Sequence, residues 1–181
     1  MKTESAKTAK MIREALKELF PSVKFSVRSS NFSMGNSVDV SWTDGPVYDM
    51  VNNAINRFQS GDFDGMTDCY NYRQDRPDHP TSKYVHSSRE ISKALAEYTL
   101  NYFKTKWADG WPECGLEIVD KTSYSGKIYW DFSNDSPMPN GNGYRSHEVN
   151  RYASHIAVNA KGEYVHDTSW YGFAHERKQV A

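Results

Sequence analysis

The chain has 181 residues, enough for one sizeable domain or a domain with an extension, and enough to bury a core without metals or disulfides. Hydrophobic residues at 38% and charged residues at 25% exclude a disordered chain, and a net charge of -1 leaves no whole-molecule attraction for nucleic acid or membrane. Two cysteines, Cys69 and Cys114, are too few for a disulfide framework, and no apolar run is long enough to cross a bilayer.

"MKTESAKTAKMIREAL" is polar and then helical, without the apolar stretch of a secretory leader, so the cytoplasm is the expected location. Ser5 to Phe20 is predicted as a helix with Ile12, Leu16, Leu19 and Phe20 on one face, stopped by Pro21. "VKFSVR" alternates Val23, Phe25 and Val27 with polar residues, and "SVDVSWT" alternates Val38, Val40 and Trp42. Both read as strands with one buried face, joined by a long polar loop, "SSNFSMGN". "DGP" then opens a second helix with the stripe Val47, Met50, Val51, Ala54, Ile55 and Phe58, and Gly61 as its C-cap.

After a breaker-rich loop, "RQDRPDHPTS", "KYVHSS" is a short strand. Ser87 or Ser88 then caps a helix to about Trp107 with the stripe Ile91, Ala94, Leu95, Tyr98 and Tyr102. The expectation is an α+β protein. A two-layer α-β-β-α-β-α domain over 1–108, with its first two helices on one sheet face, precedes a β-rich extension or small second subdomain over 109–181. In that extension "KIYWDF" reads as a strand. "YASHIAVNAKGEYVHDTSW" reads as a hairpin, turning at Asn159-Ala160-Lys161-Gly162 with a glycine bulge.

The stretch "SGDFDGMTDCYNYR" crowds Asp62, Asp64 and Asp68 round Gly65. Aligned as a calcium loop, it begins on Ser60 and ends on Asn71, lacking the first carboxylate and the final bidentate Glu, and no helix leaves it. It reads instead as a structured turn. Asp62 and Asp64 cap backbone N–H groups, Phe63 and Met66 dip into the core, and Gly65 adopts positive φ. On that reading Gly65→Val destabilises the protein. Asp62, Asp64, Asp68, Tyr70 and Tyr72 are the candidate binding residues. No metal site and no cofactor are expected.

"FPSVKFSVRSSNFSMGNSVDVSWTDGP", the amphipathic helix after it and "SGDFDGMTDCYNY" together resemble the large polyvalent protein-associated domain family of type 29, over roughly residues 6 to 89. Cys69 stands where members usually show Ser. The resemblance implies a small α+β domain and a role in phages or conjugative elements, and it supplies no catalytic residues. It leads to the expectation of an accessory protein in the host cytoplasm. That protein binds a host protein or ribonucleoprotein complex without catalysis, as a host-defence antagonist of the anti-restriction or anti-CRISPR type.

Two other classes stay open. "SHIAVNAKGEYVHDTSW" is similar to the His-strand-turn-strand-Asp segment of papain-like and transglutaminase-like cysteine enzymes. There a thiolate attacks, an imidazole takes its proton and a carboxylate orients the imidazole. Cys114, His155 and Asp167 would fill these roles if the bulged turn sets His155 across from Asp167, whereas an unbulged turn sets it across from His166. Nucleic-acid binding through the basic first helix and Lys24/Arg28 is the third class, and the neutral net charge points to weak binding at most.

Overall fold

The computed structural model describes residues 3–73, 79–106, 117–122, 128–133 and 145–166. The chain divides into two compact units. One runs through Glu90 and includes Asn159–Gly162; the other takes Ile91–Val158 and the residues from Glu163 on. The first unit thus ends at Glu90, ahead of the helix that follows it in the chain.

The first unit opens on helix α1, Glu4–Leu19. Ser5, Thr8, Ala9, Ile12 and Leu16 lie on one buried face at helical spacing. The small residues at its start let the helix sit close to the sheet, and the Ser5 hydroxyl donates to Asn31 Oδ1 at 2.9 Å. Leu19, expected inside, is exposed because it ends the helix beyond that face. Phe20 leaves the helix and packs on Phe25 instead.

Strands β1, Ser26–Phe32, and β2, Gly35–Thr43, pair antiparallel from Ser26↔Ser41 to Phe32↔Gly35. The expected long loop is thus a two-residue turn, and the strands run through "SSNF" and "GN". Those positions carry no apolar alternation, because the inward ones, Ser29 and Asn31, are polar. β5, Tyr84–Glu90, pairs parallel with β2, giving the order β1-β2-β5. Ser87 and Ser88 lie within this strand and cap nothing.

Helix α2, Tyr48–Ile55, makes the crossover between β2 and β5, and a 3-10 turn, Asn56–Phe58, extends it. Val51, Ile55 and Phe58 join Ile12, Leu16, Val27, Val38, Val40 and Trp42 in one core, so both helices cover one face of the sheet. Met50 points out to solvent. The entry to α2 is held tightly. Asp44 and Gly45 take φ 53° and 58°, and Trp42 Nε1 donates to the Pro46 carbonyl at 3.0 Å. Arg89 Nε donates to the Asp44 carbonyl at 2.9 Å. Burial pulls the Arg89 pKa down to about 10, which leaves it cationic at neutral pH.

The second unit contains helix α3, Lys93–Lys106, the antiparallel pair β6, Glu117–Thr122, and β7, Ile128–Ser133, helix α4, Arg145–Ser154, and the pair β8, Ile156–Val158, and β9, Tyr164–His166. Leu95, Leu100, Phe103, Val149, Tyr152 and Ile156 form its core. The α3 stripe is rotated from expectation. Leu95, Ala96, Thr99, Leu100 and Phe103 are buried while Ala94 is exposed, and Ser92 bonds the Leu95 N–H. The fold class is α+β as expected, but this half is not all β, since "RSHEVNRYAS" is helical. The turn at 159–162 is as expected. Gly162 has φ 79° and its N–H donates to the Asn159 carbonyl at 2.9 Å.

Candidate functional site

Asp62, Asp64 and Asp68 lie on a β-hairpin, not a bare turn. β3, Gly61–Asp64, pairs antiparallel with β4, Cys69–Tyr72. Alternation puts Phe63, Tyr70 and Tyr72 on one face with Gly61, and Asp62, Asp64, Cys69 and Asn71 on the other. Gly61 is therefore no helix cap. A Cβ there would lie 2.2 Å from the Asn71 carbonyl oxygen and 2.7 Å from Tyr70 Cε1, so its missing side chain is the room that the Tyr70 ring occupies.

Asp64 builds the turn. Its Oδ1 accepts from the Met66 N–H and its Oδ2 from the Thr67 hydroxyl, both at 2.9 Å. The Met66 amide, then the Thr67 hydroxyl, hold its pKa below the usual carboxylate value. Asp62 caps no backbone N–H; it accepts from Gln59 Nε2 at 3.2 Å and faces Arg73 Nη2 at 3.7 Å. The left-handed residue is Asp68, at φ 52°, not Gly65. Short polar side chains tolerate that region, so the turn needs no glycine. Phe63 is 56% exposed and Met66 95%, so neither enters the core.

The aromatic face of the hairpin continues onto the sheet. Tyr70 packs edge-on against Tyr72 at 4.8 Å between centroids and against Tyr84 of β5 at 5.6 Å, and its hydroxyl donates to the Lys83 carbonyl. Partial burial raises the Tyr70 pKa. Tyr84 lies on the sheet face away from the helices, as do Arg28, Phe32, Asp39 and His86 by register. Phe32 and His86 flank it with near-parallel rings, 6.3 and 6.0 Å away.

Lys83 ties these parts together. Its Nζ lies 5.1 Å from the Tyr70 centroid and 5.4 Å from that of Tyr84, and donates to the Met34 carbonyl at 3.1 Å. Its backbone N–H donates to Asn36 Oδ1 at 2.7 Å. Gly35, at φ 153°, makes room for its stem; a Cβ there would lie 2.7 Å from Lys83 Cδ. The outcome is a surface of exposed rings held by short contacts. Tyr72 is 64% exposed, and Phe32, next to Tyr84, and Met34, next to Lys83, are exposed too.

A separate shallow cavity of about 190 Å³, lined by Lys24, Phe25, Trp42 and Glu90 among others, is smaller than the roughly 300–1,000 Å³ of small-molecule sites. Among the described residues no three His, Cys, Asp or Glu side chains gather as a metal site, and no helix is long and apolar enough to cross a membrane.

Of the proposed catalytic set, Cys114 and Asp167 lie outside the described residues. His155 follows α4, with its N–H bonded to the Tyr152 carbonyl, and sits before β8 rather than within it. The hairpin register is the bulged one: Ile156, not His155, pairs with His166. His166 Nε2 lies 2.8 Å from the Tyr98 hydroxyl.

Residues 3–94 match the family model for large polyvalent protein associated domain 29, a span that takes in the first unit from α1 to β5. The chain belongs to this family. No curated protein and no solved structure matches it. The polyvalent-protein domain identifies a phage or mobile-element associated protein. It also contains the whole aromatic surface, from Phe32 to His86. The sequence pointed to Asp62, Asp64, Asp68, Tyr70 and Tyr72 but missed Phe32, Lys83, Tyr84 and His86. The parity of Tyr84 and His86 in "KYVHSS" was the available signal.

Proposed function

We propose that the polyvalent-protein domain of this chain is a non-catalytic binding module. It engages a host protein or ribonucleoprotein complex and acts as a host-defence antagonist of the anti-restriction or anti-CRISPR type. One observation carries the reading: the exposed rings of Phe32, Phe63 and Tyr72 are joined through the half-buried rings of Tyr70 and Tyr84 into a continuous face, which Lys83 helps hold in place. Exposed apolar surface of this kind marks interaction sites, and Tyr is enriched among the residues that dominate binding energy. Rings fixed before binding also lose less entropy on association.

The test is affinity capture from host lysate with the wild-type chain and a Phe63→Ser/Tyr72→Ser variant, quantified by mass spectrometry. A host component should be retained by wild type and lost in the variant, along with any protection of the element from host defence. Equal capture by both would overturn the reading.

A second reading keeps its place on one observation, the bulged register of the C-terminal hairpin. It is a cysteine hydrolase or transferase using Cys114, His155 and Asp167. It requires fast alkylation of Cys114 by iodoacetamide near neutral pH, slowed in His155→Ala.

A further inference from the structure

We infer that the free edge of β1 takes up an extended, acidic segment of another protein as a fourth strand. This goes beyond the aromatic face: the ligand here is recognised by main-chain hydrogen bonds.

The hairpin register fixes which groups the edge offers. A two-residue turn closes on the pair Phe32↔Gly35, which exchange hydrogen bonds. Alternation then turns Ser30 and Arg28 toward β2, and the N–H and C=O groups of Asn31, Ser29 and Val27 outward. Arg13 marks the outward side, since its Nη2 donates to the Val27 carbonyl at 2.6 Å. Among the described residues nothing bonds the main-chain groups of Ser29 or Asn31. Every residue of β1 except Val27 is exposed. The strand has no proline, no lysine and no break in its register, the usual devices that blunt an edge. The opposite edge of the sheet is treated differently, for Gln59 Oε1 accepts from the Val85 N–H at 3.0 Å.

Unpaired groups in this phase fit an extended polypeptide. A second copy of the chain fits poorly. Helix α1 lies along β1, with Ser5 on Asn31 at one end and Arg13 on Val27 at the other. Pairing β1 with its own copy would set two α1 helices on one face over strands about 4.8 Å apart. Packed helices need roughly 8–10 Å. The occupant is therefore a strand that brings no helix to that face.

Charge selects an acidic strand. The guanidinium of Arg13 reaches the edge at Val27, and Arg28 stands exposed one residue on. Asp39 is the carboxylate across from Arg28 in register, yet Arg28 makes no ion pair among the described residues. Glu14, beside Arg13 in the chain, faces Lys10 at 3.5 Å. Two arginines at one end of the edge suit a carboxylate on the incoming strand, which a guanidinium binds through paired N–H groups.

The test uses the full chain and fluorescein-labelled peptides of about eight residues, the length of an ordinary strand, read by anisotropy. The probes are an alternating Asp-Val peptide, an alternating Lys-Val peptide, and the Asp-Val peptide N-methylated at every residue. Ser29→Pro removes an outward N–H without touching a bond to β2, and Arg28→Glu reverses the exposed charge. Thermal midpoints verify that both variants fold, and Arg28→Glu with the methylated peptide decides alone if Ser29→Pro does not. The Asp-Val peptide should bind at least about tenfold more tightly than either other probe, and each variant should weaken it about fivefold or more. The Phe63→Ser/Tyr72→Ser variant keeps the edge and should bind as wild type does. No binding of the Asp-Val peptide, equal binding of the methylated or Lys-Val probe, or binding unmoved by the edge variants would overturn the inference. So would loss of binding in Phe63→Ser/Tyr72→Ser, which would put the peptide on the hairpin, or a dimer in sedimentation that Ser29→Pro abolishes.

Discussion

At Asp64 a single carboxylate closes the hairpin. Its depressed pKa sets the sign of a pH effect. The contribution is complete above the ordinary value of 3.8 and is lost as pH falls through the lower folded value. Hydrogen exchange at the Met66 amide should therefore show protection that is steady near neutrality, declines only in acid, and is absent at all pH values in Asp64→Ala. Two glycines nearby behave oppositely. Gly61→Ala should cost about 1–3 kcal/mol, because the new Cβ meets backbone atoms of Asn71 and Tyr72 that cannot yield. Gly65→Val should change stability by no more than about 0.5 kcal/mol, since its Cβ meets open space and its φ is not positive. Urea denaturation of both variants checks the pair. The "FDGMTD" sequence suggested the reverse for Gly65, because glycine is the usual left-handed residue and nothing local shows that Asp68 takes that role.

Among the elements, legibility followed the strength of the apolar period. α1 and β2 were readable because Ile12 and Leu16, and Val38, Val40 and Trp42, face one core at the spacing their backbones dictate. Leu19 fits the same period yet lies outside, so Ile12→Ala should cost about 2–5 kcal/mol and Leu19→Ala almost nothing in thermal or urea melts. The β3–β4 hairpin was not readable. Its strands are four residues long and bury only Gly61 and parts of Asp64 and Tyr70, so no apolar alternation marks them. Nor was α4, whose stripe of Val149, Tyr152 and Ala153 runs within three residues into the strand at Ile156 and looks extended from Tyr152 on. Of the candidate site, the hairpin residues were legible one by one. Their union with Phe32, Lys83 and Tyr84 was not, since it depends on a parallel pairing across more than forty residues.

For the molecule as a whole, the polyvalent-protein domain presents two chemically different surfaces. The solvent side of α1 carries mixed charge, Lys7, Lys10, Arg13 and Lys17 beside Glu4, Glu14 and Glu18, and the hairpin carries the exposed rings of Phe63 and Tyr72. Those two surfaces allow the central claim, binding through the aromatic face, to be tested inside one molecule. The direct measurement is photo-crosslinking in host cells with a benzophenone amino acid placed at Tyr72 or, as control, at Lys10. A host component crosslinked from position 72 and not from position 10 is the predicted result. Crosslinking from position 10 alone, or equally from both, would contradict the account.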